Sequence, residues 1–107
     1  MSPSGRSAWY PAIARAELAE RGKVAVVVGS VRMLLLDVDG EINAYRNRCP
    51  HDDVALDGGW FADGIVTCPG HFWRFDARTG AACGMTGYAL HRHLTEVRDG
   101  VVWVSVR

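Results

Sequence analysis

A chain of 107 residues with twelve basic against twelve acidic side chains has no net charge with which to hold nucleic acid or an anionic membrane. Its composition, 49% hydrophobic and 22% charged, is that of an ordinary globular protein, and its length suits one domain with a modest core. No run approaches the ~20 apolar residues of a membrane span, and Met1–Ser7 lacks the apolar stretch of a signal peptide. The expectation is a cytoplasmic protein, in a compartment that keeps thiols reduced, whose three cysteines serve metal or redox chemistry.

Short strands with turn signals every ~8–12 residues predict an all-β sandwich or barrel. Ala8–Ala14 reads as a strand, and Arg15–Glu20 as one short helical turn that Gly22 ends. Lys23–Val28 and Val31–Val38 are strands about a Gly29-Ser30 turn. Asp39-Gly40 is a strong hairpin signal before a return strand at Ile42–Arg46. Asn47–Asp57 has no period and carries Pro50, so it is a loop; Gly58-Gly59 and Asp63-Gly64 punctuate the next stretch. Ile65–Thr67 is a short strand, Cys68–His71 a tight loop, Phe72–Asp76 a strand and Thr79-Gly80 a turn. The last hairpin is Leu94–Arg98, Asp99-Gly100, Val101–Val106. With no repeat and no low-complexity linker, residues 1–107 read as one domain.

Charge is uneven along this plan. Seven acidic residues (Asp37, Asp39, Glu41, Asp52, Asp53, Asp57, Asp63) face only Arg46 and Arg48, whereas Met1–Arg32 is basic. Solvated loops explain this; so does an acidic face that steers a basic partner.

Two loops, each after a strand, carry one Cys and one His: Cys49-Pro50-His51 and Cys68-Pro69-Gly70-His71, with sixteen residues between His51 and Cys68. At these spacings each loop can turn a thiolate and an imidazole to one side, and a hairpin between them can bring four ligands to one centre. Zinc with mixed Cys and His ligands is one reading. Zinc-finger spacing, however, puts Cys with Cys and His with His, and here the close pairs are mixed. A binuclear iron–sulfur cluster suits that order, since one iron takes a thiolate from each loop and the other an imidazole from each.

The pattern resembles the Rieske [2Fe–2S] signature, Cys-x-His, sixteen residues, Cys-x-x-His. Asn47-Arg48 ahead of the first loop, and Phe72-Trp73-Arg74-Phe75-Asp76 with Thr79-Gly80 behind the second, are similar too. The resemblance spans nearly the whole chain. It implies a Rieske-type antiparallel β-sandwich with a small cluster-binding subdomain of two loops at about residues 47–76, holding one [2Fe–2S] cluster on Cys49, His51, Cys68 and His71. Cys49 and Cys68 would hold the inner iron. His51 and His71 would hold the outer one, form the electron exit, and take up protons more readily once the cluster is reduced.

Two imidazoles in place of two thiolates raise the potential into the ~−150 to +300 mV range. High-potential relatives bridge the two loops by a disulfide and aim serine and tyrosine hydroxyls at the cluster's sulfurs. Val54 and Gly70 stand at the disulfide positions here, and Trp73 and Phe75 at the hydroxyl positions. Losing those donors places the expected potential near the bottom of the range.

The remaining candidates have plainer readings. Cys83, with no His at ligand spacing, reads as a small buried filler. His91 and His93 alternate in a strand-like stretch and read as surface residues. Trp73 reads as packing under the loop, with a docking or electron-path role as the alternative; Trp60 and Phe61 pack beneath the loops, and Trp9 and Trp103 read as core. Pro50, Pro69 and Gly70 shape the loops so that backbone N–H groups point at sulfur. The proline-containing cover found in many relatives corresponds to Gly84-Met85-Thr86-Gly87, which has no proline.

A domain this small leaves no room for a second cofactor or a substrate pocket, so the expectation is an electron carrier and not an enzyme. By resemblance the donor is a flavin-containing NADH reductase and the acceptor a terminal oxygenase. The His71-Phe72-Trp73 order looks closer to the ferredoxins of soluble diiron monooxygenases of the toluene and alkene type. The ferredoxins of aromatic-ring-hydroxylating dioxygenases more often have a glycine or small residue after the ligand pair. The small subunit of an assimilatory nitrite reductase and a zinc-stabilised binding module are the readings of other classes. Monomer is the default state.

Overall fold

The computed structural model describes residues 8–51, 53–84 and 87–106. Strands dominate: β1 (Trp9–Ala14), β2 (Lys23–Val28), β3 (Val31–Val38), β4 (Glu41–Arg46), β5 (Trp60–Ala62), β6 (Ile65–Thr67), β7 (Arg74–Asp76), β8 (Arg92–His93), β9 (Thr95–Arg98) and β10 (Val101–Ser105). One helix, α1 (Arg15–Arg21), and one 3-10 turn at Leu56–Gly58 complete the described elements. They build three antiparallel sheets, ordered β1-β10-β9, β2-β3-β4-β8 and β5-β6-β7.

The middle sheet explains the layering. Met33-Leu34-Leu35-Leu36 of β3 is buried throughout, with no polar alternation, because both its faces are covered. Met33 and Leu35 join Leu18 of α1, Ala44, and Val102 and Val104 of β10 in one core. Leu34, Leu36 and Val38 turn the other way, onto Tyr45, Leu56, Val66 and Phe75, in a core that also takes in Cys49 and Cys68. Burying each leucine of that run is worth about 1.5–3 kcal/mol. The thiols are thus part of a packed layer between the middle sheet and β5-β6-β7.

The hairpins obey their turn residues. Asp39-Gly40 sits at φ 53° and 88°, and Asp99-Gly100 at 49° and 77°, the left-handed pair that a tight two-residue connection requires. One strand escapes the sequence expectation: β5 has three residues, too few to show a period, while the two-residue β8 falls in the strand-like stretch of His91 and His93. The strand expected from Phe72 begins only at Arg74, because Phe72 lies at φ 62° and belongs to the loop.

Candidate metal centre

The two Cys-His loops are built to one backbone plan. In each, the Cys N–H donates to a carbonyl further on (Cys49 to Val54, 2.8 Å; Cys68 to Trp73, 2.8 Å), and the Cys carbonyl accepts from the residue before that one (Asp53 N–H, 2.9 Å; Phe72 N–H, 3.1 Å). Asp53 and Phe72 are both left-handed, at φ 65° and 62°, and in both loops the residue after the Cys is a proline. The His stands two residues after Cys49 but three after Cys68, and the rings of His51 and His71 still meet edge to face at 5.2 Å.

Each loop is anchored to the sheets. The Asn47 amide oxygen accepts from the N–H groups of Leu56 and Asp57 at 2.8 and 3.0 Å. Its amide nitrogen donates to the Asp57 carboxylate at 2.9 Å. Lys23 donates from β2 to the carbonyls of Asp57 and Gly59. Gly59 packs so closely on the second loop that a Cβ there would stand 1.9 Å from the Thr67 carbonyl oxygen and 3.0 Å from Pro69. No other residue fits.

All four expected ligands come to one end of the molecule, with the thiols inside and the imidazoles outside. Cys49 and Cys68 are 1% and 0% exposed and form no disulfide, while His51 and His71 are exposed. The Gly70 N–H donates to Cys68 Sγ at 3.3 Å, an amide of the kind expected to face sulfur. Two buried thiols and two outer imidazoles, one of each from either loop, are the donor set that a two-iron cluster of mixed ligands takes.

Several neighbours differ from expectation. Trp73 is half-buried against the core that holds Cys49 and Cys68, and its indole also lies flat on His51, 3.9 Å between ring centres and 10° from parallel, and meets Tyr88 edge-on at 4.9 Å. Trp60 and Phe72 are 55% and 63% exposed and contact each other at 5.7 Å; only Phe61 packs inward, against the core. Trp9 and Trp103 are half-buried, with the Arg98 guanidinium over both rings. Cys83 is exposed, not a buried filler, because the short bridges around it leave its side chain outside the core. His91 is on the surface, but His93, paired with Ala44 through β8, is 1% exposed. Met85 and Thr86 of the cover lie outside the described residues.

Part of the acidic run is engaged in local ion pairs. Asp37 meets Arg15 at 2.9 Å, Asp39 meets Arg78 at 2.5 Å and Asp53 is held by Arg48. The Gly40 N–H, and then Arg15, hold the Asp37 carboxyl below the usual carboxylate range. Asp37, Asp39 and Asp63 line one recess together with Arg78; Asp52 lies outside the described residues. No helix among them is long and apolar enough to cross a membrane.

Comparison with known proteins agrees with this geometry. The ferredoxin component of the naphthalene 1,2-dioxygenase system of Pseudomonas putida is 34% identical over 74 residues, 69% of this chain and 71% of that protein. The ferredoxin component of the alkene monooxygenase system of Xanthobacter autotrophicus is 31% identical over 79 residues, 73% of this chain and 65% of that protein. A chain in the solved complex of reduced oxygenase and oxidised ferredoxin of carbazole 1,9a-dioxygenase has the same fold, with a TM-score of 0.80, 23% identity, and 91% and 92% of the two chains covered. Residues 8–90 match the family described as Rieske [2Fe-2S] domain, and the chain belongs to that family, with one Rieske [2Fe–2S] cluster as its cofactor.

Proposed function

We propose that this chain is the ferredoxin of a multicomponent oxygenase, carrying one electron at a time from an NADH-dependent flavin reductase to the terminal oxygenase. The observation that carries the reading is the pairing of two buried thiols with two exposed imidazoles at one end of the fold. When bound, a Rieske cluster supplies a one-electron store in the ~−150 to +300 mV range. The protein's part is to hold and expose it. Cys49 and Cys68 ligate from inside the packed layer, where water is excluded. His51 and His71 ligate from outside and present their outer edges to a partner. Trp73 shields one face of His51.

The whole of residues 1–107 acts as one such domain, with residues 47–76 as its cluster-binding part. We take the protein to be cytoplasmic and a monomer. The His71-Phe72-Trp73 order favours a diiron monooxygenase as the acceptor. The identity to the naphthalene dioxygenase ferredoxin, 34% against 31% for the alkene monooxygenase one, favours an aromatic dioxygenase as the second reading.

Replacement of single histidines tests the ligand set. His51→Ala and His71→Ala each lose the cluster's iron and visible absorption, whereas His91→Ala keeps both. Bleaching by His91→Ala, or an intact spectrum in His51→Ala, contradicts the assignment.

A further inference from the structure

Most arginines of the described residues already have partners. Arg15, Arg21, Arg48, Arg78 and Arg98 each meet a carboxylate, and Arg92 bonds the Asn43 amide oxygen and the Arg78 carbonyl. Arg32, Arg46 and Arg74 meet no carboxylate at ion-pair distance among the described residues. Their placement is not random. Arg46 lines the recess that His51 opens into, beside Arg48 and His91. That recess continues past Arg46 into a groove bordered by Arg32. Arg74 lies beside Phe72 and Trp73, and Trp73 lies on His51. The Asp53 carboxylate in the recess is taken up by Arg48.

The surface at this end is aromatic. Trp60, Phe72 and Tyr88 are 55%, 63% and 44% exposed, and each touches another ring at this end. An aromatic centre with arginines around it is the composition of an interface hot spot. Unanswered guanidinium groups at its edge call for carboxylates from outside and repel a basic partner.

We propose that the histidine end is an arginine-flanked docking surface that receives a carboxylate-bearing patch of the terminal oxygenase. The proposal rests on the ligand reading above and reverses the charge sign that the acidic run of the sequence suggested.

The side chains of the chain sum to zero charge and the reduced cluster adds one negative charge at the exit, so a salt dependence that shows positive charge there reports the arginines around it. The reduced full-length protein is mixed with ferricyanide, a trianion, or with hexaammineruthenium(III), a trication; each takes one electron and leaves the oxidised protein. Between about 0.01 M and about 1 M salt the Debye length shrinks from about 30 Å to about 3 Å. Over that range the ferricyanide rate is expected to fall several-fold and the ruthenium rate to rise. Arg74→Glu and Arg46→Glu flatten or invert both trends. Iron content is measured alongside, and the exposed Arg74→Glu keeps the test decisive if Arg46→Glu does not fold. A ferricyanide rate that rises with salt, no salt dependence with either oxidant, or trends unchanged in a folded, iron-loaded variant overturns the docking surface alone. A wild-type chain with no reducible cluster overturns the ligand reading, and this proposal with it.

Discussion

At His93, burial and basicity oppose each other. Nδ1 lies 3.0 Å from the Ser105 carbonyl oxygen, which requires the ring's proton there, and Nε2 is buried with no hydrogen-bond partner. Burial, then the neighbouring His91, pushes its pKa below the ordinary histidine value. The unfolded chain therefore binds a proton near pH 6.5 that the folded chain refuses. Stability from this site is present above that pH and is lost as the pH falls through it toward the lower folded value. Urea unfolding is expected to show a midpoint that drops from about pH 8 to about pH 5.5, and His93→Gln to weaken that drop; an equal drop in the variant contradicts the assignment. The sequence shows alternation of His91 and His93 but not that β4 covers His93, because a two-residue strand leaves no pattern. The four candidate ligands could be proposed from sequence for the opposite reason: spacing within a loop is a local property. The partner of Trp73 was not legible, since stacking on His51 depends on how the two loops meet.

At the scale of elements, the site is two loops of matching backbone plan brought together by β4, β6 and β7. The strands β1 to β4 and the final hairpin could be read from apolar runs and Asp-Gly turns. The third sheet could not, since β5 is Trp60-Phe61-Ala62, three residues with two of them exposed. Its position is enforced by Gly59, which lets the end of the first loop approach Thr67 and Pro69. A methyl group 1.9 Å from a backbone oxygen cannot be relieved by a side-chain rotation. Gly59→Ala is therefore expected to cost about 1–3 kcal/mol, as overpacking does, and to speed iron loss because it pushes the loops apart. Thermal unfolding and the rate of iron release to a chelator measure both. A variant with wild-type stability and iron retention contradicts the account of the loop junction.

At the scale of the whole molecule, the middle sheet separates two cores, and only one of them contains thiols. That places the candidate ligands at one end and leaves β1, β9 and β10 as a supporting layer. The potential is set at the cluster end. Phe75, fully buried and without a hydroxyl, and Trp73, engaged with His51, offer sulfur no side-chain O–H, while the Gly70 amide donates to Cys68. The midpoint is accordingly expected near roughly −150 mV, the bottom of the Rieske range. A redox titration giving a value well above zero contradicts this argument without touching the ligand set.

The central claim is that two thiolates and two imidazoles of this chain hold a binuclear cluster. Its most direct test combines iron and acid-labile sulfide counts with electron-nuclear double resonance on the reduced protein. The account predicts two irons and two sulfides per chain, with nitrogen couplings from two imidazoles. A colourless protein loaded with one zinc ion, or a paramagnetic cluster without histidine nitrogen couplings, contradicts it.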